Sequence, residues 1–129
     1  MSKTQCRFSL VIPVYNSSAI LTELVGRIHS VFSNITDDYE LIFVDDDSKD
    51  NSWEIINALK KKYPRISPVQ LTRNYGQHNA VMCGLARARG ELVITLDDDL
   101  QHPPEEIPKL IREIEKGYDI VYGVYETQH

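Results

Sequence analysis

The sequence contains little cysteine and no long apolar run. Cys6 and Cys83 are the two cysteines among 129 residues, and they form no C-x-x-C pattern. A disulfide framework or a zinc site is therefore not expected, and both thiols are predicted to be reduced core residues. No run is long enough to span a bilayer, and the polar start, Met1 to Arg7, lacks the apolar stretch of a secretory signal. We therefore expect a soluble, cytoplasmic chain.

An excess of positive charge is also missing, because the formal net charge is −5. Nucleic acid favours a basic protein face, so this balance argues against nucleic acid as a partner. A small phosphate ligand is still compatible with it, since a bound cation can reverse the local charge. The length suits one domain with a real core, and we treat residues 1–129 as a single domain.

The glycine-rich loops that bind phosphates are absent. Where G-x-G-x-x-G would follow the first predicted strand, the sequence has Pro13-Val14-Tyr15-Asn16, and no G-x-x-x-x-G-K-[ST] occurs anywhere. These absences exclude a nicotinamide or flavin dinucleotide fold and a P-loop. Any phosphate bound here is therefore expected to be held through a metal.

Strand-like and helix-like stretches alternate along the chain. Apolar runs predict strands, and apolar residues at three-to-four spacing predict helices. Ser17 or Ser18 is the predicted N-cap of the first helix. The predicted strands are 8–14, 41–44, 66–72, 92–96 and 118–124, with helices near 20–32, 51–62, 79–89 and 103–117. This alternation predicts an α/β fold, with a mainly parallel sheet flanked by helices.

Acidic side chains cluster where predicted strands end. Asp45–Asp47 and Asp97–Asp99 each directly follow an apolar run. In open parallel sheets, ligands bind beyond the carboxyl ends of the strands. Carboxylates packed this closely repel one another unless a cation or strong donors compensate. Asp97 and Asp99 would face the same way in an extended chain, with Gln101 at the same parity, so we predict a site for one Mg²⁺ or Mn²⁺ ion.

Several motifs together resemble the family-two glycosyltransferases of the GT-A fold. They are Val11-Ile12-Pro13-Val14-Tyr15-Asn16, Val44-Asp45-Asp46-Asp47-Ser48 and Asp97-Asp98-Asp99. The stretches Arg73-Asn74-Tyr75-Gly76-Gln77 and Asp99-Leu100-Gln101-His102-Pro103-Pro104-Glu105 resemble the branch that makes polyprenyl-phosphate sugars. The resemblance implies a Rossmann-like nucleotide-binding half and inverting transfer of sugar from a UDP- or GDP-sugar. The implied acceptor is a lipid phosphate or a glycan, as in cell-wall or glycan biosynthesis.

The resemblance also implies roles for single residues. Asp99 would be the principal metal ligand, assisted by Gln101, and Asp97, Asp98 and Asp99 would act in catalysis electrostatically. Two positions depart from the family pattern, because Asp47 replaces a glycine and Asp98 replaces a small residue. The implied nucleotide-binding residues are Pro13, Tyr15, Asn16, Asp45, Asp46, Arg73, Asp97 and Asp98.

The family continues beyond this point with a part that supplies acceptor contacts and, for hydroxyl acceptors, the catalytic base. Nothing in Ile120 to His129 matches that part. We therefore expect a chain truncated before its acceptor-binding portion, and a parent protein at the cytoplasmic face of a membrane. The predicted fifth strand has no covering segment after it, which favours pairing with a second copy.

Other functions fit some of the same residues. In a two-component receiver, Val44-Asp45-Asp46-Asp47 would be the acidic start and Asp97 the phosphoacceptor. A receiver's acidic pair follows its first strand, however, which leaves residues 1–40 unexplained, and the lysine expected after a fifth strand is missing. A phosphatase or nucleotidyltransferase using Asp97 and Asp99 would need a lysine and more acids downstream. The last alternative is a fragment that binds a nucleotide sugar without turnover.

Overall fold

The computed structural model describes residues 6–98 and 103–115. Strands and helices alternate throughout this part of the chain. In order they are β1 (Cys6–Val14), α1 (Leu21–Phe32), β2 (Tyr39–Asp45), α2 (Ser52–Lys62), β3 (Ile66–Gln70), α3 (Gln77–Arg87), β4 (Gly90–Thr95), a 3-10 turn (Pro104–Glu106) and α4 (Ile107–Glu115). No helix in the described ranges is both long and apolar enough to cross a bilayer.

The strands form one parallel sheet in the order β3-β2-β1-β4. The chain first builds the sheet outward from β1 to β3 and then returns to place β4 on the other side of β1. The register aligns Leu10 of β1 with Leu41 of β2 and Ile94 of β4. The predicted α/β fold with a parallel sheet is confirmed, and the order reverses between β1 and β4.

Both faces of the sheet are covered, which explains why the strands are apolar runs and do not alternate. One face carries a core cluster formed with α1, α2 and α4, to which β1 contributes Phe8, Leu10 and Ile12. The other face packs against α3, where Val11 and Ala80 belong to a smaller cluster. Neighbouring β1 residues thus serve opposite layers, as the strand period of two requires.

Helix α3 approaches the sheet closely at Gly84. A Cβ added there would overlap Cγ1 of Val11 and lie 3.2 Å from Cγ2 of Val44. Only a residue without a side chain allows this separation. The contact fixes the depth of α3 on β1 and β2.

A buried polar cluster joins three strands near their amino ends. Ser9 donates its hydroxyl to Glu40 at 2.5 Å, and the Arg89 N–H and Nε donate to the same carboxylate at 2.7 and 3.0 Å. The Gly90 N–H completes the cluster by donating to the Ser9 hydroxyl. Burial acts to raise the pKa of Glu40, but the bonds from Ser9 and Arg89 outweigh it and lower that pKa. The charged form of Glu40 therefore stabilises the fold.

Some element ends differ from the predictions. Strand β3 ends at Gln70 and not at Thr72, and the predicted fifth strand lies outside the described residues. The predicted N-cap is wrong, because α1 begins at Leu21 and is preceded by Ile20. Ser17 instead bonds across the loops at the carboxyl edge of the sheet, so tertiary contacts replace the local cap.

Candidate functional site

A pocket of about 300 Å³ opens at the carboxyl ends of β1 and β4, where the strand order reverses. This is the place in an open α/β sheet where ligands bind. Loops after all four strands bring polar groups to this edge. The lining residues are Pro13, Val14, Tyr15, Asp46, Asn74, Gly76, Gln77 and Asp98.

Asn16 locks the loop after β1 to the loop after β2. Its backbone has φ 52°, a conformation that asparagine tolerates better than most residues. Its side-chain oxygen accepts the N–H of Lys49 at 2.7 Å, and its own N–H donates to the Ser48 hydroxyl at 2.9 Å. The Ser17 N–H adds a bond to the Ser52 hydroxyl at 2.9 Å. Asn16, predicted to bind nucleotide, thus also holds the loop that carries Tyr15.

Tyr15 is the large hydrophobic residue most open to solvent at the pocket, with 44% of its surface exposed. It follows β1 directly and lies beside Pro13 in the pocket lining. An exposed aromatic face beside a polar pocket can stack on a planar group. The position of Tyr15 is therefore compatible with the predicted contact to a nucleoside.

Asp45 ends β2 as a fully buried carboxylate. The Ser48 hydroxyl donates to it at 2.5 Å, and the Ser48 N–H donates at 3.3 Å. Burial raises the pKa of Asp45, and the two bonds from Ser48 oppose that shift. Ser48 therefore sets the orientation of the acid that was predicted to meet the nucleoside.

Asp46 is also buried, with 3% of its surface exposed. Its two carboxylate oxygens accept the N–H groups of Tyr75 and Gly76 at 2.7 and 2.9 Å. Its carbonyl accepts Nδ2 of Asn74 at 3.3 Å. Asp46, predicted as a nucleotide ligand, lines the pocket while its charge is directed at the loop between β3 and α3.

The acids after β4 connect to opposite sides of the pocket. Asp97 accepts Nε2 of Gln77, the first residue of α3, at 2.9 Å. Asp98 accepts the Tyr15 N–H at 3.3 Å and the Ser17 hydroxyl. The segment after β4 therefore joins the loop after β1 to the start of α3, and Asp98 lines the pocket while Asp97 bonds to its lining residue Gln77.

The predicted metal ligands Asp99 and Gln101 lie outside the described residues. Within residues 6–98 and 103–115, no three His, Cys, Asp or Glu side chains are grouped so that they could hold a metal. Asp97 and Asp98 nevertheless place carboxylate oxygens at this edge, and oxygen is the ligand that Mg²⁺ and Mn²⁺ prefer. The donor chemistry thus fits a divalent cation.

Two further predicted features lie away from the pocket lining. The guanidinium of Arg73 lies 4.9 Å from the centre of the Tyr75 ring, a cation–π contact on the loop after β3. Asp47, the acid in the glycine position of the motif, has φ 58° and pairs with Lys49 at 3.2 Å. The extra acid is therefore neutralised at the surface, and its backbone keeps the left-handed conformation that glycine adopts readily.

Residues 9–128 match the family model described as glycosyl transferase family 2. The chain belongs to glycosyl transferase family 2. This membership decides against the receiver alternative. The sheet adds a second reason, because the receiver alternative leaves residues 1–40 unexplained, whereas β1 (residues 6–14) lies in the middle of the sheet.

Two curated relatives of this family-2 chain carry the same name, undecaprenyl-phosphate 4-deoxy-4-formamido-L-arabinose transferase. The protein from Shewanella sediminis is 50% identical over 114 residues, covering 88% of the chain and 34% of the relative. The protein from Photorhabdus laumondii is 48% identical over 116 residues, covering 89% and 36%. The chain thus spans about a third of the length of these relatives.

Solved structures with the same fold include two chains in complex with nucleotides. A 1–349 fragment of TarS from S. aureus, solved with UDP, has a TM-score of 0.69 and 25% identity, covering 85% of this chain and 32% of that one. Mannosyltransferase PcManGT from Pyrobaculum calidifontis, solved with GDP-Man and Mn²⁺, has a TM-score of 0.73 and 22% identity, covering 84% and 32%. The second likeness concerns the fold alone.

Sequence reasoning did not assign three residues that shape this family-2 site: Ser17, Ser48 and Gln77. Ser48 had a local signal, because a hydroxyl three residues after an aspartate often bonds to it. Gln77 was named only as part of the motif Arg73-Asn74-Tyr75-Gly76-Gln77. Its bond to Asp97 joins the first residue of α3 to the segment after β4, and such a contact between two elements leaves no signal in sequence spacing.

Proposed function

We propose that this chain is the donor-binding half of an inverting, metal-dependent glycosyltransferase that uses a nucleoside-diphosphate sugar. One observation carries the proposal: the pocket lies at the switch point of the sheet and brings together the ends of β1 and β4 with the loop before α3. The names of the relatives that are 50% and 48% identical support a polyprenyl phosphate as acceptor. Because the matched part covers only 34% and 36% of those relatives, we assign donor binding to these residues and leave the acceptor contacts to the rest of such a protein.

The charge at the pocket supports a role for a cation. Asp46 and Asp98 line the pocket and Asp97 is adjacent, so an approaching diphosphate would meet negative charge. A bound divalent ion reverses this local field. In the proposed site Asp99 holds Mg²⁺ or Mn²⁺ with help from Gln101. When bound, such an ion supplies Lewis-acid neutralisation of the departing diphosphate.

The remaining residues bind and orient the donor. Pro13 and Tyr15 form the side of the pocket suited to a flat base, and Asp45, which is buried and bonded to Ser48, supports the loop after β2 at the edge of that pocket. Arg73, on the exposed loop after β3, approaches the phosphates. Asp97 and Asp98 act through their charge and through the bonds that hold the pocket walls, not as nucleophiles.

The acceptor in this proposal needs little activation. A polyprenyl phosphate is already an anion at neutral pH and can attack without a strong general base. Attack from the face opposite the departing diphosphate inverts the anomeric centre. A membrane-held acceptor would also place the parent protein at a membrane surface.

Titration calorimetry with UDP and GDP, each with and without Mn²⁺, tests donor binding directly. We expect one nucleotide to bind, and only in the presence of metal. Asp99→Asn should remove the metal-dependent part of the affinity, because it removes the charge of the principal ligand. A matched control is Asp37→Asn, which changes an acid in the turn before β2, at the opposite edge of the sheet.

The proposal has two clear contrary outcomes. Nucleotide affinity that is identical with and without Mn²⁺ would contradict the role of the metal. Failure of both UDP and GDP to bind in the presence of Mn²⁺ would contradict donor binding by these residues.

A further inference from the structure

We propose that a second pocket, at the amino ends of the strands, binds a phosphate group through positively charged side chains and without a metal. This amino-edge pocket has a volume of about 510 Å³. It lies between the starts of β2 and β3, the end of α2 and the residue before β4. The lining residues are Tyr39, Glu40, Lys60, Pro64, Arg65, Ile66, Ser67 and Arg89. The inference goes beyond the proposed function and does not depend on it, because the donor pocket lies at the other edge of the sheet.

The two pockets carry charges of opposite sign. In the amino-edge pocket Lys60, Arg65 and Arg89 bring three positive charges and Glu40 brings one negative charge, which leaves two positive. The described lining of the donor pocket has two aspartates and no lysine or arginine. Because the whole chain has a formal net charge of −5, the amino-edge pocket is a local exception to an acidic surface. An anion can bind there through side chains, whereas at the donor pocket it needs a cation.

The three lysines that end α2 are not equivalent. Lys60, Lys61 and Lys62 all lie in the last turn, where the carbonyls of a helix favour positive charge. Of the three, Lys60 lines the pocket, and its Nζ donates to the Ile66 carbonyl at 2.8 Å. An ammonium has three N–H donors, so this bond holds the charge in place and uses one of them. Lys60 is therefore a positioned charge at the pocket wall.

Both arginines of the pocket are held by neighbours and keep donors for a ligand. Arg89 donates Nε to the buried Glu40 at 3.0 Å, and its guanidinium has four further N–H groups. The guanidinium of Arg65 lies 5.1 Å from the centre of the Tyr39 ring. A planar guanidinium matches pairs of phosphate oxygens. The hydroxyl of Ser67, in the same lining, can add another donor.

A phosphate group fits this pocket in charge. A phosphate monoester carries nearly two negative charges at neutral pH, which matches the two net positive charges of the lining. The seven residues of β2 separate the two edges by about 20 Å, so this phosphate is not the one that the donor pocket would hold. A lipid headgroup and a soluble phosphate both present such a group, and the experiment separates them.

Titration with inorganic phosphate in EDTA, followed by the NMR shifts of backbone amides, tests the site. Chloride keeps the ionic strength constant, since salt alone alters exposed charges. The amides of Arg65, Ser67 and Arg89 should shift and reach saturation. Free phosphate should bind more weakly than a nucleotide at the donor pocket, because it makes fewer contacts.

Lys60→Gln and Arg65→Gln should each weaken phosphate binding about fivefold, as expected when one charged donor is removed from an exposed pair. Lys61→Gln is the matched control, because it removes the same charge from the same helix end outside the pocket lining. It should leave the affinity unchanged. All three side chains are exposed, so each variant should fold.

Sedimentation with vesicles in EDTA identifies the source of the phosphate. The chain is mixed with phosphatidylcholine vesicles that contain or lack phosphatidylglycerol. Co-sedimentation that needs phosphatidylglycerol, and that is lost in Lys60→Gln and Arg65→Gln but kept in Lys61→Gln, assigns a lipid headgroup. Saturable phosphate binding without such co-sedimentation assigns a soluble phosphate.

Two results would overturn the amino-edge site. Shifts that do not saturate, or equal weakening by Lys61→Gln, would mean general attraction to a charged surface, whatever the vesicles do. Saturation only in the presence of Mn²⁺ would contradict binding by side chains alone. Neither result bears on the donor pocket, whose affinity for UDP or GDP should be the same in Lys60→Gln as in the unaltered chain.

Discussion

At the scale of single residues, each acid at the carboxyl edge is distinguished by its donor. Asp45 receives a serine hydroxyl, Asp46 two backbone amides, Asp97 a glutamine amide and Asp98 a serine hydroxyl with a backbone amide. The two aspartate triplets therefore do not act as uniform anionic clusters. Their donors keep the like charges compatible with folding before any cation is bound.

Glu40, at the opposite edge of the sheet, allows a test of how much one such charge contributes to the free energy of unfolding. Glu40→Gln should lower the free energy of unfolding by about 2 kcal/mol at neutral pH, because the hydrogen bonds from Ser9 and Arg89 go to a buried charge. The pKa of folded Glu40 lies below the ordinary 4.5. Its stabilisation is therefore complete above the unfolded pKa and is lost as the pH falls through the folded pKa. Urea unfolding of both proteins across this pH range measures the difference.

The control for this prediction is Glu91→Gln, the same chemical change at an exposed residue of β4. It should leave the free energy of unfolding nearly unchanged at every pH. A Glu40→Gln deficit that stayed constant down to strongly acidic pH would mean that shape, and not charge, holds the cluster.

At the scale of elements, the depth of α3 on the sheet depends on one glycine. Gly84→Ala should destabilise the fold by about 1–3 kcal/mol, because the new methyl group overlaps Val11 and crowds Val44. Gly26→Ala in α1 is the matched control, since its Cβ meets nothing within 4 Å. It should stabilise by about 0.5–1 kcal/mol through helix propensity. Urea unfolding curves give both values, and equal effects of the two substitutions would contradict the close packing of α3.

The elements themselves were largely predictable from sequence. Four strands and the helices between them coincide with apolar runs and three-to-four patterns, because burial on both faces of the sheet requires that composition. The errors lie at the ends. The start of α1 was misassigned because Ser17 bonds to Asp98, a residue 81 positions away, and no local cap rule contains that contact.

The site was predictable to a lesser extent. Topology alone brings the strand ends together, and Tyr15, Asp46 and Asp98 all line one pocket there. Their predicted roles toward a nucleotide stay predictions. The direction of each carboxylate depends on contacts between loops. Asp45 and Asp46 are neighbours in the chain yet face Ser48 and Tyr75 respectively. No spacing rule distinguishes them.

At the scale of the whole molecule, the pocket is built from all four strand ends, so ligand binding should be linked to global stability. A nucleotide bound only by the folded chain raises the free energy of unfolding by about 2.7 kcal/mol at a hundred times its Kd. We therefore expect UDP or GDP with Mn²⁺ to raise the melting temperature, and EDTA to reverse the increase. Calorimetric scans over a nucleotide series measure this linkage.

The size of that stabilisation should follow the affinity and not the charge of the ligand. Inorganic phosphate with Mn²⁺ is the control, because it carries negative charge but no base to meet Tyr15. Equal stabilisation by phosphate and by nucleotide would indicate general neutralisation of the acidic edge. Stabilisation by nucleotide alone would show that binding, and not neutralisation of charge, raises the free energy of unfolding. Loss of that stabilisation in Asp46→Asn would show that the acid after β2 and the loop after β3 that it bonds contribute to the binding.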